Sequence, residues 1–432
     1  MHQMSEHPNQ APTNSATTLI GRTGKLYFPL ALVSRLPFAM MVIGVLTLVV
    51  SARGSVELGG LNSAMVGLGV ACCGPLIGAA ADRFGQRPTL LISAAANSVL
   101  LGALAWVAFS SLPIWVLFIG SFLAGATVPQ TSPMSRSRLV AIVANDLPPQ
   151  RRPRVLSNVL AYESAADEVI FVFGPVIVGV LATTLGAWAP IAGAAVLTLL
   201  FVTAFALHHT SAPAQSAEQR AAALAPASEL ARPALLVTVA GIISVGLFFG
   251  SMLTALTSFM QDRGDPESAG LIYGAMGVGS AIFAIGVAAL PARFSLRARW
   301  PAFTLCIIAG TVLLQWANDV PFMILSLAIM GIGVGPLLVT LYSFGAARSP
   351  VGRSATVMTM LGSGLMVGQS AAAALTGVIA TDLGTAAALT IPLGAALLAL
   401  VAGGVNWWLS GSDDRAGRGP NTAPVTVVAP AP

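Results

Sequence analysis

The chain alternates long apolar runs with short polar connections. Six runs fill the first half: 27–50, 61–81, 89–110, 114–134, 157–183 and 187–207. Six more fill the second: 233–260, 268–290, 301–316, 321–344, 356–380 and 386–409. Most are close to the roughly 20 residues that a helix needs to cross a bilayer. The pattern predicts an all-α integral membrane fold of twelve transmembrane helices in two six-helix bundles. The expected divisions are a disordered cytoplasmic tail over 1–26, a first bundle over 27–207, a cytoplasmic linker over 208–231, a second bundle over 232–409 and a disordered cytoplasmic tail over 410–432. The linker, rich in Ala, Ser and Pro, is too polar to span. The N-terminal tail lacks the basic, apolar and cleavage regions of a signal peptide.

The two halves repeat. A shift of 210 positions places Arg53-Gly54 on Arg263-Gly264, Gly60-Leu61 on Gly270-Leu271 and Arg83-Phe84 on Arg293-Phe294. Small residues Ala64, Gly67, Ala71, Gly74 and Gly78 line one face of the second span. Gly274, Gly277, Ala281, Ala284 and Ala288 repeat that stripe in the eighth. In lipid such faces mark close helix approach, either static packing or a sliding contact between halves.

Composition agrees with the pattern. Of the 432 residues, 56% are hydrophobic and only 9% charged, far below the roughly 25% of a soluble domain. The net charge of +5 is scattered through short connections and forms no nucleic-acid patch. With both termini in the cytoplasm, only Arg53 and Arg263 of the 21 basic residues fall in outer loops, and Arg35 alone lies within a span. That bias favours an inner (plasma) membrane protein with both ends inside. Arg136 and Arg138 are read here as part of the inner connection after the fourth span. Cys72, Cys73 and Cys306 lie in apolar runs, and no histidine lies within a span. No metal spacing, cofactor motif, nucleotide loop or nucleophile–base arrangement is visible, so an enzyme is not expected.

Four ionisable residues lie within spans: Arg35 in the first and Glu163, Asp167 and Glu168 in the fifth. Such residues usually face the bundle interior and a partner. Glu163 and Asp167, four apart, share a helix face. One reading is a fixed ion pair between Arg35 and an acid. The other is a proton-carrying acid, Asp167 or Glu168 first, because three acids face one base. Glu163 also lies near enough to the inner surface to reach it.

One polar knot stands between the second and third spans, Gly78-Ala79-Ala80-Ala81-Asp82-Arg83-Phe84-Gly85-Gln86-Arg87. Gly78, Asp82, Arg83, Gly85 and Arg87 fit G-x-x-x-D-R-x-G-x-R, which resembles the signature loop of the major facilitator superfamily of secondary transporters. The resemblance implies two six-helix halves, alternating access, a monomer as the default, and a role for the acid at Asp82 in latching the halves. At the matching place in the second half, Ala292 replaces Asp82 and Ser295 replaces Gly85.

Gly174-Pro175 with Gly179 partly resembles the Gly-Pro element in the fifth span of drug–proton antiporters of that superfamily, which points to efflux; the plain reading is a proline kink. Positions that carry Arg and Gln in the fourth span of many proton-coupled members are Ser121 and Ala124 here. Any coupling therefore falls to the fifth-span acids. Cavity candidates are Thr127, Gln130, Thr131 and Ser132 beside Pro129 and Pro133, and Gln369 in the eleventh span, with adaptable methionines such as Met40, Met252 and Met366.

The sequence thus leads to a secondary transporter of a small, apolar or amphipathic solute, exporting it in exchange for protons. The alternatives are a sugar or metabolite permease of the same fold and, more remotely, a membrane receptor or enzyme. The expected partners are the lipid bilayer, a small-molecule substrate and protons.

Overall fold

The computed structural model describes residues 18–54, 56–211, 218, 223–264, 268–291 and 293–415. Among these residues there is no strand. The first half comprises α1 (Leu19–Thr23), α2 (Tyr27–Val33), α3 (Leu36–Arg53), α4 (Val56–Phe84), α5 (Gln86–Ala108), α6 (Ile114–Ala126), α7 (Thr131–Asp146), α8 (Arg152–Leu185), α9 (Ala189–Leu197) and α10 (Thr203–Leu207). The second comprises α11 (Pro233–Gln261), α12 (Ala269–Gly286), α13 (Leu296–Leu314), α14 (Val320–Arg348), α15 (Ser354–Leu383), α16 (Thr385–Ala388) and α17 (Ile391–Arg415).

Among the described residues, ten helices, some joined end to end from these elements, are long and apolar enough to cross a membrane. The fifth and eighth expected spans, not among those ten, are α8, of 34 residues and crossed by buried charges, and α12, of 18. The outer surface is apolar. Ile92 and Val99, two turns apart on α5, are each 71% exposed. Such an exterior suits hydrocarbon, where a helix satisfies its own backbone.

Helices of the first half pack chiefly on one another (α4 on α6, α3 on α4 and α9), as do those of the second (α11 on α15 and α17, α12 and α13 on α14). The halves meet where α4 lies along α15 and where α8 meets α12 and α14. Three glycines of the predicted stripe set the α4–α15 spacing. A Cβ on Gly67 would lie 3.1 Å from the Ser370 hydroxyl, and on Gly78 it would lie 2.8 Å from the Ala355 carbonyl; Gly74 faces Ser363. The matching stripe behaves differently, since Gly274 faces open space.

Three expectations about the chain's course are corrected. The N-terminal segment is not featureless: Thr18 caps the short helix α1 through the Gly21 N–H, and α1 packs beside α7. The last helix continues past Leu409 to Arg415. The fourth span does not end at Met134. After a break at Thr127–Gln130 it resumes as α7 and runs on to Asp146. Residues 1–17 and 416–432 of the tails, 212–217 and 219–222 of the linker, and Ala292 lie outside the described residues.

Two breaks shape the site. Pro37 has no N–H for the carbonyl of Val33, so the first span stops at Val33 and restarts at Leu36, with Arg35 at the step. Pro129 and Pro133 do the same around Gln130, where the local bonds are short-range: Val128 N–H to Gly125 and Thr131 N–H to Pro129. Both breaks bring polar groups into the middle of the molecule.

Candidate functional site

Four charged side chains meet between α3, α7 and α8. Arg35 donates from Nη2 to Glu163 Oε2 at 2.6 Å and from Nη1 to Asp167 Oδ1 at 2.8 Å. Arg136 donates from Nη2 to Asp167 Oδ2 at 2.6 Å. Ser132, on the same helix face as Arg136, donates to both Asp167 oxygens at 3.0 Å and accepts from Arg136 Nη1 at 3.0 Å. Ser135 donates to Glu163 Oε1 at 2.9 Å and lies 3.0 Å from the Tyr27 hydroxyl. Glu163 is wholly buried, so it does not reach the inner surface as the sequence reading allowed. Asp167 is 23% exposed, and that exposure opens into a cavity.

The cavity, about 70 Å³, lies between the halves. Its polar wall is Arg35, Ser132, Arg136 and Asp167; Phe38, Val128 and Ile170 face it from the first half and Tyr342, Leu365 and Met366 from the second. Tyr342 of α14 lays its ring over Arg136, with the guanidinium carbon 3.8 Å from the ring centroid. This is a cation–π contact across the seam between halves.

The structure therefore brings together Arg35, Glu163 and Asp167, with Gln130 and Thr131 on the same cavity. Gln130 donates to the Val128 carbonyl at 3.2 Å, and Thr131 to the Ser34 carbonyl at 3.1 Å. Thr127 does not join them. Its hydroxyl bonds back to the Leu123 carbonyl at 2.8 Å, the usual fate of an intramembrane hydroxyl. Gln369 lies elsewhere: its backbone is pressed against Gly246 and Gly250 of α11. Of the methionines named, Met366 faces the cavity, whereas Met40 and Met252 are buried in helix packing. The side chain of Glu168 lies outside the described residues, as does that of Pro175, though α8 continues as helix through both. A Cβ on Gly174 would lie 2.7 Å from that of Ala39, so Gly174 sets the α8–α3 approach, while Gly179 faces open space.

The sequence reading missed Arg136. It counted three acids against one base, but two arginines face Glu163 and Asp167, and the carboxylate surplus it relied on is absent from this pair. Arg138, counted with the same inner connection, is also buried, stacked 4.1 Å from the Phe205 centroid and donating to Gln86 Oε1. The one sequence signal for the site was the spacing of Ser132 and Arg136, one helical turn apart and on the face toward the fifth-span acids.

At one end of the seam Asp82 closes the halves together. Its Oδ1 accepts from the Ala355 N–H at 2.9 Å, and its Oδ2 accepts from the Thr356 N–H at 2.7 Å and from the Thr356 hydroxyl at 2.6 Å. Asp82 stands in the last turn of its own helix, where the dipole disfavours an anion. It is satisfied by the unpaired N–H groups at the start of α15. Gly85 adopts φ of 100°, a conformation that favours glycine, and lets α5 begin one residue after α4's turn. Arg87 bonds the Leu207 carbonyl at 3.3 Å, and Arg83 lies over Phe84 at 5.4 Å from the centroid.

A bundle of apolar helices in two sets, with a buried ionic cluster on a cavity between them, is an arrangement suited to moving a solute across a membrane. The chain matches the Major Facilitator Superfamily over residues 28–358 and belongs to that family. Its fold is similar to that of the human organic anion transporter MFSD10 (TETRAN), at 20% identity and TM-score 0.66, covering 88% of this chain and 99% of that one. It is likewise similar to a bacterial homologue of the iron transporter ferroportin in an outward-facing state, at 14% identity and TM-score 0.67, covering 89% and 98%. The E. coli fucose:proton symporter FucP matches at 15% identity and TM-score 0.60, covering 88% and 98%. Membership of that family points to transport across a membrane, and the likeness to these structures is one of fold.

Proposed function

We propose that this chain is a proton-linked secondary transporter that moves a small amphipathic solute by alternating access, working as an exporter in the inner membrane with both termini cytoplasmic. The observation that carries the reading is the cavity itself. It holds a paired ionic cluster, is walled by both halves, and sits on a seam that Asp82 ties at one end through α15. Rocking the halves about such a cavity exposes it to each side in turn. Export is supported by the Gly174-Pro175 resemblance, and proton linkage by Asp167, an acid whose exposed edge faces the cavity. Gly78, Asp82, Arg83, Gly85 and Arg87 would form the latch.

Proteoliposomes carrying a pH-sensitive dye test this. Under an imposed proton gradient, addition of amphipathic solutes should dissipate the gradient in the wild type. Asp167→Asn, Glu168→Gln or both should abolish that dissipation. A response to sugars alone would transfer the assignment to a permease. Unchanged proton-linked transport in both variants across a range of pH would remove the coupling role.

A further inference from the structure

The two arginines have hydrogen-bond donors to spare, and the acid that faces the cavity already has both oxygens engaged. Nε of Arg35 and Nε of Arg136 are buried and make no hydrogen bond, although both side chains border the cavity. Both oxygens of Asp167 are engaged, with the single Ser132 hydroxyl shared between them. Arg35 and Ser132 bond Oδ1; Arg136 and Ser132 bond Oδ2. Glu163, the other acid of the cluster, is fully buried and held by Arg35 and Ser135. A cationic solute would find its one exposed carboxylate already engaged by two arginines. A planar anion would find two guanidinium groups bordering the cavity whose bonds toward it go to Asp167, each with its Nε N–H still unpaired, and fixed in place by packing, Tyr342 and the Glu163 carbonyl. Guanidinium geometry matches carboxylate and sulfonate oxygens, and its pairs are strong where water is excluded.

We infer that the cavity recognises an amphipathic organic monoanion: its carboxylate or sulfonate takes the place of the Asp167 carboxylate on Arg136 and Arg35, while its apolar body lies among Phe38, Ile170, Leu365 and Met366. Asp167 is then the internal stand-in for the solute's charge. It keeps the arginines neutralised when the cavity is empty and is released when the solute binds. This inference rests on the transporter reading for its purpose, but its test is a binding measurement and needs no flux.

The test uses the full chain purified in detergent and three probes with the same aryl body: naphthalene-2-sulfonate, 2-naphthylmethanol and (2-naphthylmethyl)trimethylammonium. Thermal unfolding of the protein is followed against the concentration of each. The sulfonate should raise the unfolding temperature at concentrations roughly tenfold below those at which the alcohol acts, and the ammonium should not. Asp167→Asn, nearly isosteric, frees both guanidinium groups and should bind the sulfonate at least as tightly as the wild type, with no gain for the alcohol. Arg136→Ala on its own unbalances a buried cluster and risks misfolding. The charge-balanced double variant Arg136→Ala with Asp167→Asn keeps the Arg35–Glu163 pair and should lose the preference for the sulfonate.

Preferential binding of the ammonium probe, unaltered sulfonate binding in the double variant, or binding of none of the three would overturn the inference. Cation-selective binding accompanied by proton-linked flux would leave the transporter reading intact while removing this one. Sulfonate-selective binding with no flux of any solute would do the reverse.

Discussion

Asp82 and Thr356 belong to opposite halves, yet one carboxylate oxygen of Asp82 takes both the N–H and the hydroxyl of Thr356, at 2.7 and 2.6 Å. The same side chain caps the Ala355 N–H. It is a helix cap supplied from another helix, so it holds only while the two ends stay together. Asp82→Asn removes the charge that the start of α15 favours, with caps of this kind contributing about 0.5–2 kcal/mol. The closed end should therefore open roughly 2- to 30-fold more often, on the scale where about 1.4 kcal/mol is tenfold. Spin labels on cysteines placed at Phe84 and Val351, both exposed beside the cap, should report a broader distance distribution in Asp82→Asn than in the wild type. Identical distributions would show that the cap does not hold the seam.

Gly78 tests the same contact by bulk instead of charge. Its added Cβ would press on the Thr359 hydroxyl and stand 2.8 Å from the Ala355 backbone carbonyl, which cannot swing aside. Gly78→Ala should weaken the closed seam and lower transport several-fold, while Gly60→Ala on the same helix, with open space at its Cβ, should behave as the wild type. In the fifth span Gly174→Ala should lower the unfolding temperature, because its Cβ would meet Ala39, whereas Gly179→Ala should not. Equal effects at Gly174 and Gly179 would break the link between close approach and cost.

Glu163→Gln removes one partner from a fully buried pair. Arg35 would keep Asp167 and the Glu163 carbonyl but lose its 2.6 Å ionic contact at a fully buried position. Breaking a buried pair in this way costs about 3–5 kcal/mol, and the remaining bonds to Arg35 place this case at the lower end. A large drop in unfolding temperature with a normal elution profile before heating is the expected result. An unchanged unfolding temperature would show that Asp167 alone balances Arg35.

The apolar spacing made the helices legible, and the charge spacing put Arg35 within reach of the fifth-span acids. The rest of the cluster was hidden by a boundary. Ser135-Arg136-Ser137-Arg138 is polar enough to read as a cytoplasmic turn, and counting basic residues by loop reinforced that reading. In the structure the prolines at 129 and 133 break the span, and α7 continues with Arg136 and Arg138 buried. A polar helix segment becomes interior only when other elements supply acids and aromatic faces for it. For Arg136 these are Asp167 from α8 and Tyr342 from α14, more than 200 positions away in the chain. Local pattern carries no record of that pairing. Thr127 and Gln369 failed for the complementary reason: their residue types suit a cavity, but which side of the helix faces it depends on the neighbours.

The connection after α10 adds a pH dependence outside the membrane-spanning helices. His208 lies 3.0 Å from the Thr210 hydroxyl, to which Arg138 also donates at 3.0 Å. Partial burial, helped by the charges of His209 and Arg138, holds its pKa below the ordinary 6.5. The folded form thus resists a proton that the unfolded chain accepts, so stability is complete above that value and falls as pH drops below it. Between about pH 7 and pH 5 the wild type should lose more thermal stability than His208→Gln, which has no ring to titrate. Parallel curves for the two proteins would place the acid sensitivity elsewhere.

Tyr342 is an aromatic ring that the second half lays on the ionic cluster, and its face makes the contact with Arg136. A cation–π contact in a desolvated site contributes about 0.5–2 kcal/mol. Tyr342→Phe keeps the ring and should transport at near wild-type rate. Tyr342→Leu keeps an apolar side chain, though a smaller one, and removes the quadrupole. It should reduce proton-linked flux several-fold, with only the modest fall in unfolding temperature that the lost volume at a buried position explains. The split between flux and stability is the informative readout. If Leu and Phe variants transport alike, the ring is only packing, and the second half senses the state of Arg136 and Asp167 through the apolar wall at Leu365 and Met366. If they differ, movement of α14 against α7 is coupled to the charge state of the cluster through a single stacked pair, and the solute that takes over Arg136 binds under the same ring.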